Sequence, residues 1–379
     1  MFDLAKRVQT AHQEGLMRKQ NVVGVGVGYK NAAGDPSVVV LVEQKKSLDE
    51  LRPEDVVPRQ IDGVDTDVYE VGKLVAFDAV DSGDAQSAPH LSASPRDRHR
   101  PFIPGGVSFG HHAVTAGTLG VVVRDRKTGQ RLLLSNNHVI ANNNEARKGD
   151  LILQPAQLDG GQSPADAVAV LERFIALNYV EGDVIAPELR ERAQTAQTAQ
   201  TAQTASKDDG GGLMGSILRL LARLLNNKPT PSPAPKPDIA AIKQNTADNI
   251  ADAAVARPND RAMFKEQIRG IGTIRKTAQP ELGMRVRKTG RTTDTTQSSV
   301  TLLNATVTVG YNTSQGPRNA RLVGQVICNA FSQGGDSGSL VVAADSGTAV
   351  GLLFAGSGLA TIFTPIDVVF DALDIELEV

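Results

Sequence analysis

The sequence predicts a mainly β protein, built of barrels or sandwiches behind a small α+β unit. Short runs rich in Val, Leu and Thr alternate with Gly, Asn and Asp turns over residues 105–256, and again from about residue 270 to the end. The first 75 or so residues instead mix helical and strand patterns. A chain of 379 residues is long enough for two or three domains.

The predicted N-terminal α+β domain covers residues 1–80. Apolar residues recur at mostly helical spacing from Phe2 to Leu16, which predicts a short amphipathic helix. Two β-rich runs at 21–29 and 37–43, separated by a turn-like stretch, predict a hairpin. The glycines of the first run lack the spacing and the following helix of a dinucleotide-binding loop. They indicate instead a strand that another backbone approaches closely.

The rest of the chain divides into a linker and two β domains. Residues 81–104 are rich in Ser, Asp, Pro and Arg without periodicity, which is typical of a linker. We predict a first β-barrel at 105–260 and a second at 261–379. The strongest predicted strands are 118–124, 131–134, 300–309, 322–328, 340–343 and 349–354.

An insertion at 186–237 interrupts the first predicted β domain. It contains an Ala-Gln-Thr repeat at 193–205, an amphipathic helical run at 213–225 and a proline-rich tether at 229–237. The helix is predicted either to pack on its own barrel or to recruit a regulatory protein partner. Two arginines make a weak basic face, which disfavours docking to a membrane surface.

Composition narrows the class of protein. The 40 basic and 42 acidic residues are balanced, so the sequence predicts no nucleic-acid partner. A single cysteine, Cys328, excludes an intramolecular disulfide. We found no secretory signal at the N-terminus and no apolar stretch near the roughly 18 residues of a membrane span, which predicts a cytoplasmic protein without a membrane span.

Ser337 is the candidate nucleophile, within the run Gly-Gly-Asp-Ser-Gly-Ser at 334–339. Glycines allow a tight turn that brings consecutive N–H groups to one point without a Cβ in the way. The N–H groups of Gly335 and Ser337 would then form an oxyanion hole. Taken alone, the run also fits an ordinary glycine-rich turn.

His138 is the candidate base, because among the six histidines only it directly follows a strong predicted strand, at 131–134. His12 falls in the first helix, and His90 and His99 fall in the linker. The pair His111 and His112 has no Cys, Asp or Glu at metal-site spacing, so no metal site and no cofactor is predicted.

Two aspartates are candidates for the acid that orients this base. Asp238 and Asp252 each enter an apolar run, where a carboxylate can be held buried against an imidazole. Asp252 leads into the segment between the two β domains, where a group at a domain cleft should lie, and we favour it. Asp238 is the alternative, and the spacing from His138 permits either.

These residues resemble the trypsin- and chymotrypsin-like serine peptidases, in particular bacterial members without disulfides. The resemblance rests on the order His138, Asp252, Ser337, on Gly-Asp-Ser-Gly, and on Ser-Asn-Asn-His-Val around the histidine. Residues 286–293 are similar to a Lys-Ser-Gly-Arg-Thr-Thr-Gly segment of such proteins. The resemblance covers roughly residues 105–379 and implies two six-stranded β-barrels with the active site between them. It also implies that Asp336 shapes the oxyanion loop, whereas the local Asp-Ile-Ala motif favours Asp238 as the acid.

The same resemblance implies where a peptide would bind. Phe331 would lie near the base of the main specificity pocket, and Phe354, Ala355 and Gly356 would form the strand that pairs with the substrate backbone. No acidic residue is expected at the pocket base, which favours a small or apolar substrate side chain. We therefore predict a serine endopeptidase acting on protein or peptide substrates. The alternatives are a catalytically silent interaction module and an esterase with the same triad, and either the N-terminal domain or the tethered helix could cover the cleft.

Overall fold

The computed structural model of the chain describes residues 2–30, 34–76, 93–180 and 248–378. His90, the repeat at 193–205, the predicted helix at 213–225 and Asp238 lie outside these residues. The described part is mainly β, as the sequence predicts. Its strands form an eight-stranded sheet, an eleven-stranded sheet and a small three-stranded sheet.

The N-terminal residues form a helix and the first four strands. The helix α1 spans Phe2–Met17, and the strands are β1 (Val22–Tyr29), β2 (Pro36–Val42), β3 (Gln60–Ile61) and β4 (Val64–Glu70). The predicted hairpin is confirmed, because β1 and β2 pair antiparallel. The apolar face of α1, with Ala5, Val8 and Leu16, packs on these strands. Short 3₁₀ turns lie between β2 and β3, at Leu48–Glu50 and Pro53–Asp55.

The strands that the structure describes between residues 108 and 258 belong to the eight-stranded sheet. It contains β7 (Ser108–His111), β8 (Gly117–Thr118), β9 (Val121–Asp125), β10 (Arg131–Ser135), β11 (Leu151–Leu153), β12 (Ala167–Phe174), β13 (Ala254–Pro258) and β22 (Ile375–Leu377). The order is β22-β9-β10-β13-β12-β11-β7-β8. The C-terminal strand therefore returns to this sheet and pairs with β9.

Six strands of the eleven-stranded sheet close into a barrel. They are β16 (Arg285–Gly290), β17 (Asp294–Thr313), β18 (Gly316–Asn329), β19 (Leu340–Ala343), β20 (Ala349–Gly356) and β21 (Ala360–Pro365). The order β16-β19-β20-β21-β18-β17 returns to its start because β16 also pairs with β17. This closed barrel agrees with the two-barrel fold that the resemblance implies.

The N-terminal strands extend this barrel's sheet through β17. Strand β1 pairs antiparallel with β17 at Gly24↔Val307 and Gly28↔Leu302. A Cβ on Gly28 would lie 2.9 Å from the carbonyl oxygen of Thr301, and one on Gly24 would lie 3.0 Å from that of Thr306. The glycines therefore admit a neighbouring backbone, as predicted. A further short strand, β5 (Val75–Ala76), pairs with β17 and β20.

The remaining elements surround the two large sheets. The small sheet contains β6 (Ile103–Gly105), β14 (Phe264–Ile268) and β15 (Gly272–Thr273). The helices are α2 (Asn137–Ile140) and α3 (Ile366–Leu373), and 3₁₀ turns occur at Asn142–Asn144, Gln157–Asp159 and Arg261–Met263. None of the described helices combines the length and apolarity needed to cross a membrane.

A shared apolar core joins the barrel to the eight-stranded sheet. Leu132 and Leu134 of β10 pack in one cluster with Leu340 and Leu352 of the barrel, together with the inner face of α3. The contact is close, since a Cβ on Gly120 would lie 2.5 Å from the carbonyl oxygen of Gly338. The end of β10 and the loop that carries Ser337 are thereby brought to one place. The division of the chain at 1–80, 81–104, 105–260 and 261–379 stays a prediction.

Candidate active site

The structure brings His138 and Asp252 together as a buried pair. Asp252 Oδ2 lies 2.5 Å from His138 Nδ1, and its Oδ1 accepts the backbone N–H of His138 at 3.3 Å. Both side chains are almost fully buried, at 3% and 0% exposure. A carboxylate in this position holds the imidazole by Nδ1 and leaves Nε2 as the nitrogen that can exchange a proton.

Backbone contacts of neighbouring asparagines fix this pair. Asn136 Nδ2 donates to the carbonyl oxygen of Asp252 at 2.6 Å, which ties the strand end before His138 to the segment before β13. Asn137 Nδ2 donates to Ile175 O and to Asn144 Oδ1, both at 2.7 Å. Because these bonds hold the start of α2, next to His138, the imidazole has little freedom to turn away from the carboxylate.

The glycine-rich run forms a defined turn before Ser337. The N–H of Asp336 donates to the carbonyl oxygen of Gln333 at 3.0 Å, and Gly335 has φ of 94°. A closed turn with positive φ at its third residue but not at its second, Gly334, is type II, which favours glycine or asparagine at the third residue. A type I turn would rotate the Gly334–Gly335 peptide by about half a turn, so the direction of the Gly335 N–H depends on this glycine.

Ser337 is fully buried at the junction between the barrel and the eight-stranded sheet. Its carbonyl oxygen accepts the N–H of Thr118 at 2.8 Å, and its Oγ–H donates to the carbonyl oxygen of Phe354 at 3.2 Å. Thr118 O in turn accepts the hydroxyl of Ser135, three residues before His138, at 2.8 Å. Thr118 therefore links the serine loop to the strand that leads into the histidine.

Asp336 and Lys288 form a second buried pair directly behind the serine. Lys288 Nζ lies 3.1 Å from Asp336 Oδ2, and both side chains have 0% exposure. Asp336 also accepts N–H groups of Thr292, Thr293 and Gln333 at 2.9, 3.1 and 3.0 Å. Burial lowers the pKa of Lys288, and the nearby carboxylate of Asp336 opposes that shift. The loop is thus held by a lysine from β16 of the same chain.

A second ion pair connects the barrel to the other sheet. Arg291 binds Asp159 through two nitrogens, with Nε 2.8 Å from Oδ2 and Nη2 2.5 Å from Oδ1. Both side chains are buried, and Asp159 Oδ2 also accepts the hydroxyl of Ser108 at 2.6 Å. A two-point guanidinium–carboxylate contact fixes relative orientation as well as distance, so it stabilises the cleft geometry.

Two tyrosines in contact with each other lie next to the buried pair. The Tyr311 ring lies edge-on to His138 with centroids 6.1 Å apart, and Tyr179 lies edge-on to Tyr311 at 5.9 Å. Burial, reinforced by the carboxylate of Asp252, raises the pKa of both phenols. The tyrosines therefore stay neutral and give the pair an apolar surrounding.

The predicted substrate-binding residues fall in two places. Phe331 is buried in the interior cluster of the barrel, and its carbonyl oxygen accepts the hydroxyl of Thr296 at 2.6 Å. Phe354, Ala355 and Gly356 are buried at the end of β20, next to Ser337. The pocket and backbone roles of these residues stay predictions.

The other described histidines lie away from this site. His12 Nε2 contacts Asp62 Oδ2 at 2.7 Å on the surface, and His99 Nε2 contacts Ser94 O at 2.9 Å. His111 and His112 meet Asp150, with candidate ligand atoms within 4.8 Å of one another. Asp150 is 38 residues beyond His112, so a search by local spacing missed it.

Sequence reasoning also missed Thr118, Lys288 and Asp159. Lys288 lies within residues 286–293, which resemble a segment of bacterial trypsin-like serine peptidases. This resemblance could have drawn attention to the lysine. The contact of Thr118 with Gly335 and that of Asp159 with Arg291 each join residues more than 100 positions apart. Local sequence patterns carry no signal for such contacts.

Comparisons with known proteins give a fold likeness only. No family model and no curated protein matches the sequence. Among solved structures, the chain is similar to bacterial trypsin- and chymotrypsin-like serine proteases. A glutamic acid-specific serine protease has 16% identity and a TM-score of 0.40, with 73% of this chain and 100% of that chain covered.

Two further solved structures are similar over the same share of the chain. Thermobifida fusca protease A has 14% identity and a TM-score of 0.39, covering 73% of this chain and 97% of that one. A Nocardiopsis protease has 14% identity and a TM-score of 0.40, covering 73% and 99%. At these TM-scores the likeness carries no argument about activity, and the fold described above rests on the strand pairings of this chain.

Proposed function

We propose that this protein is a serine endopeptidase that hydrolyses peptide bonds through Ser337, His138 and Asp252. The observation that carries the proposal is the buried pair of His138 and Asp252, with Nδ1 and Oδ2 2.5 Å apart, at the end of a strand tied to the serine loop. Burial of an imidazole and a carboxylate costs free energy, because both groups lose their hydration. Orientation of the imidazole for general-base catalysis is a function that accounts for this buried pair.

The chemistry follows from the order of contacts. Ser337 Oγ would form a bond to the carbonyl carbon of the substrate while its proton passes to His138 Nε2. The imidazolium, stabilised by Asp252, would then give that proton to the leaving amine as the peptide bond breaks. Water, deprotonated by the same imidazole, would release the acyl group and restore the serine.

The oxyanion of each step needs donors that are in place beforehand. The type II turn at Gly335 and the buried pair of Lys288 and Asp336 support this role, because they hold the loop without the substrate. The N–H groups of Gly335 and Ser337 are the proposed donors. A small or apolar side chain before the scissile bond is the proposed preference.

A fluorophosphonate probe tests the proposal directly, because it reacts with serines activated by a neighbouring base. Labelling is expected at Ser337 on the wild-type chain and is expected to disappear in Ser337→Ala and His138→Ala. Circular dichroism of each variant confirms that it is folded. Labelling that persists in His138→Ala at the wild-type rate would contradict the proposed base.

Peptide and ester substrates separate the proposal from its alternatives. Hydrolysis of peptides that is lost in Ser337→Ala supports an endopeptidase. Turnover of esters alone indicates an esterase with the same triad. If the probe labels neither the wild type nor the variant Ala76→Glu, which is designed to open the cleft, the protein is an interaction module rather than an enzyme.

A further inference from the structure

The strand that should pair with substrate already carries a piece of the same chain. Strand β5 pairs antiparallel with β20 at Val75↔Gly356 and Ala76↔Ala355. At its first residue, β5 also pairs parallel with β17, where Val75 faces Gly310. Strand β5 thus fills the space between these two strands.

The position on β20 is an edge that would otherwise be open. Strand β19 pairs with β20 only over residues 349–352, whereas β21 continues on the other side to Gly356. Leu353 still pairs on this side with the serine loop, through Gly338 N–H and Ser339 O, and Phe354 O accepts the Ser337 hydroxyl. At Ala355 and Gly356 the strand that pairs on this side, within the described residues, is β5. Without β5 this edge would accept an extended peptide as an added strand.

The direction of β5 is that of a substrate approaching the serine. From Val75 to Ala76 the chain passes Gly356 and then Ala355, and the next residue of β20 is Phe354, whose carbonyl oxygen accepts the Ser337 hydroxyl. The segment therefore runs towards Ser337 in its N-to-C direction. Residues that precede a scissile bond would run the same way, since the carbonyl attacked by the serine comes after them.

The segment is held by side chains as well as by strand pairing. Leu74 and Ala76 are buried in one cluster with Tyr311, Phe354 and Ala355, whereas Lys73 is exposed. The carbonyl oxygen of Leu74 accepts the N–H of Gly310 at 3.0 Å. Ser357 Oγ donates to the carbonyl oxygen of Val71, and the N–H of Val71 donates to Val42 O at 2.9 Å. The segment 71–76 is therefore anchored to the N-terminal strands at one end and to the cleft at the other.

We infer that residues 74–76 occupy the acyl side of the substrate cleft and hold the enzyme closed until they are displaced. The inference rests on the proposed function, because it assigns this edge of β20 to the substrate. It also assigns the substrate class: an extended peptide with apolar side chains at the positions of Leu74 and Ala76. Substrate and segment compete for the same backbone groups, so binding of one requires removal of the other.

The test compares two glutamate variants of the full chain. Ala76→Glu places a charge in the buried groove and should release the segment, whereas Lys73→Glu places the same side chain on its exposed side. The substrate is a fluorogenic peptide with Leu-Val-Ala-Phe before the reporter, the sequence that begins at Leu74. We expect kcat/KM and the rate of fluorophosphonate labelling to rise at least tenfold in Ala76→Glu and to change less than twofold in Lys73→Glu.

A cysteine pair keeps the test decisive if Ala76→Glu does not fold. Ala76→Cys with Ala355→Cys places two thiols on facing residues of the antiparallel pair, within reach of a disulfide. Oxidation should lower kcat/KM at least tenfold, and reduction should restore it.

The outcomes separate the two proposals. Equal labelling and hydrolysis by wild type and Ala76→Glu, or equal activity of the oxidised and reduced cysteine pair, would overturn the closed-cleft inference while leaving the serine peptidase intact. No labelling in either wild type or a folded Ala76→Glu would overturn the proposed function itself.

Discussion

Asp252 and Asp336 are both fully buried aspartates of the candidate active site, yet their surroundings differ. Asp336 is surrounded by donors, with an ammonium, backbone N–H groups and the hydroxyl of Thr293 all on one carboxylate. Asp252 faces an imidazole and the backbone N–H of His138. A carboxylate saturated by fixed donors holds a loop in one conformation, whereas one directed at an imidazole can stabilise a charge that forms and disappears. Substitutions at these two sites, at Gly335 and at a third buried aspartate, Asp125, test this difference.

Asp252→Asn should have the largest effect on activity. The amide keeps the shape of the carboxylate but cannot stabilise an imidazolium, and it favours the wrong tautomer of His138. Replacement of the aspartate by asparagine in a Ser-His-Asp triad lowers kcat about 10⁴-fold, so kcat is expected to fall by about that factor with little change in the unfolding midpoint. The measurement uses the Ala76→Glu background, in which the cleft is open. A loss below tenfold would show that Asp252 is not the orienting acid.

Lys288→Met should affect stability most. Removing one partner of a buried ion pair leaves an uncompensated charge, which costs about 3–5 kcal/mol of unfolding free energy. Denaturant unfolding followed by circular dichroism measures it. The double variant with Asp336→Asn should recover part of the loss. Lys148→Met, at a lysine 70% exposed and paired with Glu172, is the control and should change stability by less than about 1 kcal/mol.

Gly335→Ala should reduce catalysis through the backbone alone. An alanine does not tolerate φ of 94°, so the turn is expected to change type and move one oxyanion donor. The loss of one donor costs about 10²–10³-fold in kcat. Gly347→Ala is the matched control, since Gly347 also has positive φ, of 68°, but lies in the β19–β20 turn with open space around its Cβ position. A normal kcat in Gly335→Ala would remove this N–H from the proposed hole.

Asp125→Asn should have the smallest effect and none on catalysis. Asp125 resembles Asp336 in being surrounded by donors. Backbone N–H groups of Lys127 and Thr128 in the β9–β10 turn donate to it, and Arg173 of β12 pairs with it. The hydrogen bond from the N–H of Thr128 is the main cause that lowers the pKa of Asp125 to about 2. A lowered acid pKa stabilises the fold above the unfolded value of about 3.9, and this contribution is lost as the pH falls towards 2.

The variant should therefore lose about 1–2 kcal/mol at neutral pH, because charge-assisted hydrogen bonds are removed. Its stability should also fall less steeply than that of the wild type between pH 4 and pH 2. Thermal unfolding across this pH range measures both effects. If stability falls between pH 4 and pH 2 as steeply in the variant as in the wild type, the lowered pKa of Asp125 is contradicted. A large loss of kcat in the variant would contradict the proposed difference between catalytic and structural aspartates.

Local patterns in the sequence determined much of the fold and singled out two residues. The rhythm of β-rich runs and turns predicts a mainly β chain, because period-two alternation and turn residues act over a few positions. The glycines around Ser337 and the strand before His138 mark these residues for the same reason. Local patterns also predict the β1–β2 hairpin and the close backbone approach at its glycines.

The contacts of the candidate site join residues that are far apart in the chain, and local sequence patterns do not predict them. Asp252 lies beside His138 across 114 residues, Lys288 reaches Asp336 across 48, and Thr118 contacts Gly335 across 217. Nothing in the local sequence of Val75 and Ala76 indicates that they pair with Ala355 and Gly356. Contacts of this kind depend on how the sheets close and pack, because burial and strand pairing are satisfied by residues that are distant in the chain.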